Sequence, residues 1–297
     1  MQSKDEDGSA FYDVNMTDAD EGLTVLHVAA HNGAINCMQL LIDAGADLNH
    51  NSQHAAGYSP LHWAISQVQY RSAIILLMAG ADPNVAGKEG MAPLHMAAKK
   101  TGEVGGNLVQ LLCTGGDLGG ADVEQVHRPQ NSNGHAFQYT ALHHAAAVGA
   151  VEAADVLLHF GGNPLRDFGN GPSFSPYAMA NGQNHTVVGA LFKTAEDTGA
   201  SGYVGQTLRR KGLLKFALRF FENGIKRNEQ FGELNASYFK ETIGVAKKKP
   251  MTKLLRLVDK YAPVTVTAVA PDPPPPTVVT VTVTDPVADP VKNAANR

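Results

Sequence analysis

Twelve histidines in 297 residues are the side chains of this chain best suited to chemistry. Two pairs, His27 with His31 and His50 with His54, have the i, i+4 spacing that brings two imidazoles onto one face of a helix, as in a two-histidine metal site. The surrounding residues argue against that use. His50 and His54 lie in a polar stretch with the character of a loop, and His27 belongs to a string that recurs along the chain. No glycine-rich phosphate loop, nucleophile elbow or HExxH string is present. Cys37 and Cys113 are too few for a disulfide framework or a cysteine-rich metal site; both sit among helical apolar residues, as core positions in a reducing compartment. The expectation is a chain that is not an enzyme and carries no metal or cofactor and no small-molecule substrate.

The elements that would position these histidines repeat. TVLHVAA from Thr24, SPLHWAI from Ser59, APLHMAA from Ala92, TALHHAA from Thr140 and SPYAMAN from Ser175 align, with starts 35, 33, 48 and 35 residues apart. Each position has a physical reason. The leading Thr or Ser can cap a helix, and Pro60, Pro93 and Pro176 fit the first helical position. Leu26, Leu61, Leu94 and Leu142 follow as core. The alanine pairs at 29–30, 97–98 and 145–146 keep the helix slim. Gly33 and Gly149 stand where a left-handed residue would end it, while Val68 departs from that pattern. A second helix carries leucine pairs at 40–41, 76–77, 111–112 and 157–158 and stops at Gly45, Gly80, Gly115 and Gly161. Turns then follow as GADLN, GADPN, GGDLG and GGNPL.

With its period near 33 and its Pro-Leu-His and Gly-Ala-Asp strings, residues 13–193 resemble the ankyrin-repeat family. The resemblance implies an all-α ankyrin-repeat solenoid: four clear repeats, a turn at Asp13-Val14-Asn15 left from an upstream half-repeat, and a degenerate C-terminal cap at 175–193. It also implies that His27, His62, His95 and His143 bridge adjacent repeats by hydrogen bonds. Partners of the family are held by the finger tips and the exposed ends of the first helices. At those positions stand Leu23, Tyr58, Met91, Tyr139 and Phe174, each just before a motif start, with Phe137 and Val148 widening the stripe at repeat four. Aromatic and Met side chains suit an interface. The alternative is that they pack between fingers. Lys88, Lys99 and Lys100 read as a basic cluster on the same concave side, and Trp63 as a core residue facing the neighbouring helix layer. An insertion over about 119–138 lengthens the third finger.

The net charge of −4 conceals a strong polarity. Residues 1–202 hold 8 Lys and Arg against 20 Asp and Glu, whereas residues 203–261 hold 14 against 5. A module boundary near 202 follows. The acidic N-terminus, 1–12, lacks the basic and greasy character of a secretory signal and reads as flexible. Residues 205–223 have the pattern of a basic amphipathic helix, with Leu214, Ala217, Leu218 and Phe221 on one face and Leu213, Phe216 and Phe220 beside it. Such a helix can lie on a membrane, fill a partner's groove, approach nucleic acid, or pack on the open end of the repeat stack or on two helices near 233–246 and 251–261. Residues 262–297, rich in Pro, Val and Thr, read as a disordered tail. The function expected is that of a cytoplasmic scaffold, adaptor or inhibitor for a protein partner, with Lys247-Lys248-Lys249-Pro250 allowing a nuclear location. The alternative is a membrane- or nucleic-acid-associated regulator acting through 205–261.

Overall fold

The computed structural model describes residues 13–53, 56–115, 120–129, 137–168, 172–195, 203–213 and 216–261. They belong to the first of the chain's two units, which ends at Ala262. The flexible N-terminus read for 1–12 and the tail read for 262–297 lie outside the described residues, as does His54.

The motif starts become helix starts. Thr24, Ser59, Ala92, Thr140 and Ser175 have extended backbone, and the inner helices begin at the next residue: α1 Val25–Asn32, α3 Pro60–Ser66, α5 Pro93–Ala98, α7 Ala141–Val148 and α9 Pro176–Gly182. Each pairs with an outer helix: α2 Ile35–Asp43, α4 Tyr70–Met78, α6 Gly102–Thr114, α8 Val151–His159 and α10 Thr186–Ala195. Inner helices stack on inner helices in chain order. That packing needs thin walls, and Ala29, Ala30, Ala64, Ala97, Ala98, Ala145 and Ala146 are all buried at its centre. Leu26, Leu61, Leu94 and Leu142 fill the same core, each contributing about 1.5–3 kcal/mol by leaving water.

Gly33 and Gly149 end their helices in the left-handed region, at φ 68° and 70°. In repeat two Val68 takes that conformation with φ 58°, and its backbone N–H still reaches the Ile65 carbonyl. A β-branched residue there is strained by roughly 1–2 kcal/mol. Because Val68 is 39% exposed and little packing would be lost, Val68→Gly is expected to raise the unfolding free energy by about 1 kcal/mol, measurable as a higher urea midpoint.

The finger turns are registered by side chains. Asn15 Oδ1 accepts from the backbone N–H of Asp47 (2.7 Å), Asn49 Oδ1 from that of Asp82 (2.9 Å) and Asn84 Oδ1 from that of Asp122 (2.6 Å). This ladder moves the third turn. The sequence points to GGDLG at Gly115, of which 116–119 lie outside the described residues; the turn that joins the ladder is at Gly120-Ala121-Asp122, where Ala121 N–H closes on the Leu112 carbonyl. The finger then runs out and back as a hairpin in which His127 and Tyr139 exchange backbone hydrogen bonds of 2.8 and 2.9 Å.

Beyond the stack come α11 Val204–Lys211, α12 Ala217–Glu222, a 3-10 turn at Asn228–Glu233, α13 Ala236–Glu241 and α14 Lys248–Tyr261. The single amphipathic helix expected over 205–223 is broken instead. Gly212 is left-handed at φ 66°, so α11 stops there and α12 starts anew. Leu213, Ala217 and Phe220 join Val204, Leu208, Phe231, Phe239, Ile243, Val245, Leu254 and Leu257 in a second core. Leu213, Ala217 and Phe220 of this segment's apolar side are thereby spent inside the protein, while Leu214 lies outside the described residues. Phe221 points the other way, onto Phe160 of the fourth repeat (ring centroids 4.8 Å).

Candidate functional site

The four motif histidines share one circuit. The backbone N–H of the residue that starts each helix donates to the Nδ1 three residues on: Thr24 to His27 (3.1 Å), Ser59 to His62 (3.1 Å), Ala92 to His95 (3.0 Å) and Thr140 to His143 (3.0 Å). An N–H can only donate, so Nδ1 is the acceptor and the proton sits on Nε2. That Nε2–H crosses to the next finger. His27 donates to the carbonyls of Tyr58 and His50 (both 3.0 Å), His62 to Met91 (2.8 Å) and His95 to Gln125 (2.9 Å). His143 Nε2 closes no such hydrogen bond among the described residues; the Arg166 and Phe174 backbone of the next finger lies nearest to it. Burial lowers the pKa of all four, to about 4 for His62, His95 and His143. All four are neutral, and His27, His62 and His95 are cross-braces.

A further pair escaped the sequence reading. His127 Nδ1 and His144 Nε2 lie 3.0 Å apart, with His95 tilted against His127 and edge-on to His144. Burial, then Lys99, lowers both, His144 to about 2. The one signal available was the doubled histidine in TALHHAA. Among the described residues no three His, Cys, Asp or Glu side chains converge as a metal site. Cys113 is buried with its thiol pKa pushed up by desolvation, and Cys37 is half-buried.

The stripe residues turn out to be part of this circuit. Tyr58 and Met91 supply the carbonyls that His27 and His62 engage, which fixes their backbone and leaves the side chains at the finger edge. Leu23, Tyr58, Met91, Phe137, Tyr139 and Phe174 are all half-buried. Tyr58 stacks on His62 (5.0 Å, 9°), while Phe137 stacks on both Tyr139 (6.0 Å) and Phe174 (5.7 Å). The structure thus gathers an aromatic patch at repeats four and five. Val148 is 37% exposed.

The three lysines are not gathered. Lys88 lies in a 3-10 turn before α5, and Lys99 and Lys100 follow its last residue, so a helix of about 9 Å separates them. Lys100 Nζ donates to the Ser66 carbonyl at the end of α3 (2.9 Å) and braces neighbouring repeats, whereas Lys88 and Lys99 stay exposed. Trp63 also departs from expectation. It is half-buried, meets His31 edge-on at 5.3 Å, and walls a cavity of about 180 Å³ with Leu23, His27 and Val28. The inner face is open beside α1 because no preceding inner helix covers it among the described residues.

Ankyrin repeats, in three copies, are matched over residues 8–86 and 70–168, and the chain belongs to this family. It is 28% identical over 205 residues to the human palmitoyltransferase ZDHHC13, covering 62% of this chain and 32% of that protein. It is 32% identical over 167 residues to human neurogenic locus notch homolog protein 1, covering 56% and 6%. With the Arabidopsis thaliana ADP-ribosylation factor GTPase-activating protein AGD4 it shares 40% identity over 77 residues, or 26% and 10%. The chain spans about a third or less of the length of these relatives.

Proposed function

We propose that the protein is a non-catalytic scaffold that binds a protein partner across its fingers and inner helices. The observation that carries this is the division of labour along the finger edge: the carbonyls of Tyr58 and Met91 are locked by buried His27 and His62, while Leu23, Tyr58, Met91, Tyr139 and Phe174 keep part of their side chains in water. A rigid frame displaying aromatic and aliphatic groups loses little entropy on binding. Ankyrin repeats serve protein recognition generally, and a reducing compartment, cytoplasm or nucleus, suits two unpaired cysteines. The enzyme-related names among the relatives belong to proteins of which this chain covers only a part.

The alternative reading, attachment to a membrane through 205–261, is disfavoured by the second core, which uses Leu213, Ala217 and Phe220, apolar groups that insertion would draw on. No described helix is long and apolar enough to cross a membrane. The exposed Lys211, Lys240, Lys247, Lys248 and Lys249 leave an electrostatic contact as its remaining form.

The test is a triple change, Tyr58→Ser, Met91→Ser and Tyr139→Ser, in an affinity capture compared with the unchanged chain. Partner recovery is expected to fall at least about tenfold, as for the loss of interface anchors, with the thermal midpoint showing that the stack stays folded. Full recovery would refute the reading.

A further inference from the structure

The open end of the inner face has a chemistry of its own. The cavity walled by Leu23, His27, Val28, His31 and Trp63 adjoins a second, of about 400 Å³, lined by Met16, Thr17, Asp18, Leu23, Thr24, Val25 and Val28. Leu23 and Val28 border both, so the two form one apolar groove running from Met16 across α1 to Trp63 on α3. Its walls are wet: Met16 is 59% exposed and Val25 and Val28 are each 49% exposed. On the Met16 side the charge has one sign: Asp18 lines the cavity, Asp13, Asp20 and Glu21 are its chain neighbours, and no Lys or Arg occurs from residue 13 to 70. On the far side Lys100 Nζ donates to the Ser66 carbonyl that ends the helix of Trp63.

An apolar slot in a field of carboxylates selects its occupant. An acidic or neutral greasy segment would add repulsion or gain nothing from the field, whereas a cationic one is drawn in and lets its apolar side chain displace water from Val28 and Trp63. Accordingly, we infer that this groove binds a basic peptide segment of a partner protein, with one bulky aliphatic or aromatic side chain seated between Val28 and Trp63 and Lys or Arg on either side facing Asp18 and its neighbours. The inference deepens the scaffold reading and rests on it. It adds what the stripe alone does not specify, the charge of the partner and the place of its anchor.

Asp18 is positioned for this. Its Oδ1 accepts the backbone N–H groups of Leu23 (2.6 Å) and Glu21 (3.3 Å), which holds the carboxylate at the mouth of the second cavity, its other oxygen without a hydrogen bond among the described residues. Trp63 is the single tryptophan of the chain, so the groove carries its own fluorescent reporter.

The experiment is selection of a displayed random 12-residue peptide library on the full chain, followed by titration of the enriched synthetic peptides while Trp63 emission is followed. Enriched peptides are expected to be net basic with a conserved Leu, Ile, Met, Phe or Trp, and to shift Trp63 emission on binding. Their binding should weaken about tenfold or more in Val28→Asp, which changes an exposed side chain, and about threefold in Asp18→Asn, which keeps the Oδ1 acceptor. It should also weaken several-fold between 0.05 and 0.5 M salt, as screening shortens to about 4 Å. Enriched peptides without basic residues, or binding untouched by Val28→Asp, would overturn the proposal. So would shielding of Trp63 from acrylamide in the free chain that is relieved by deleting residues 1–12, because the chain itself would then fill the groove. Peptides lost only on the Tyr58, Met91 and Tyr139 changes would leave the scaffold reading standing and remove this one.

Discussion

Acidifying a solution of this protein from pH 7 to pH 5 is expected to cost the ankyrin stack on the order of 5 kcal/mol. The cause is the set of buried motif histidines. His62, His95 and His143 have pKa values lowered to about 4 by desolvation, against 6.5 for an exposed histidine. A depressed histidine pKa means that the unfolded chain takes up protons which the folded chain refuses. Stability is therefore complete above pH 6.5 and declines as the pH falls toward 4, by about 2 kcal/mol per histidine on reaching pH 5. Protonation also destroys the circuit directly, because a protonated Nδ1 cannot accept the N–H of Ser59, Ala92 or Thr140. His144, pushed lower still by burial and by Lys99, adds to the decline. Urea unfolding at pH 7, 6 and 5 tests this: the midpoint should fall steeply, with an uptake near pH 5 of about three to four protons on unfolding. His62→Gln should start from a less stable state and show a flatter pH dependence by about one proton. A midpoint that does not move between pH 7 and 5 would show that the histidines are charged or exposed.

The second large effect is expected at Tyr203. Its side chain is fully buried, its hydroxyl donates to Asp155 Oδ1 (2.7 Å), its ring meets His159 edge-on at 4.7 Å, and the Arg227 guanidinium lies 3.9 Å from its centroid. One residue thus joins α8 of the fourth repeat to both strands of the short bridge that opens the basic segment. Tyr203→Ala should destabilise by about 3–5 kcal/mol, the range for an emptied aromatic site. Tyr203→Phe keeps the ring and should cost about 1.5–3 kcal/mol, the worth of a hydrogen bond to a charged group. Gly205 provides an independent probe: a Cβ there would stand 1.9 Å from the His159 carbonyl oxygen, so Gly205→Ala should force α11 off α8. Hydrogen exchange reads all three. Faster exchange in α11 and α12, with α1 to α5 unchanged, is expected for Tyr203→Ala and Gly205→Ala. Uniform slow exchange would mean that the junction is held by something other than these contacts.

The parts of this structure that the amino-acid sequence determined alone are those in which a residue type has one local use. Proline after Ser59 and Ser175 can open a helix, paired alanines can only be thin, and a histidine three residues after an N-cap has a backbone N–H within reach. Helix starts and the repeat frame were legible for that reason, and the bracing role of the histidines was legible through the family resemblance. Val68 was legible as a departure, and its backbone obeyed the position all the same, since helix packing outweighs a cost of about 1–2 kcal/mol.

Tertiary structure decided what depends on which surfaces meet. GGDLG and Gly120-Ala121-Asp122 are equally good turns as strings; the hydrogen bond from Asp122 N–H to Asn84 Oδ1 chose between them. The apolar positions of 205–223 could face a lipid or a core, and a left-handed Gly212 together with Phe231, Phe239 and Leu254 turned Leu213, Ala217 and Phe220 inward. The three lysines seemed one cluster because sequence proximity ignores the length of α5. Trp63 read as core because its motif position usually has a neighbour, and it lines a groove here because the inner face beside α1 is open among the described residues. Periodicity fixes where side chains stand on an element, and only the packing of one element against the next fixes which of them remain in contact with water.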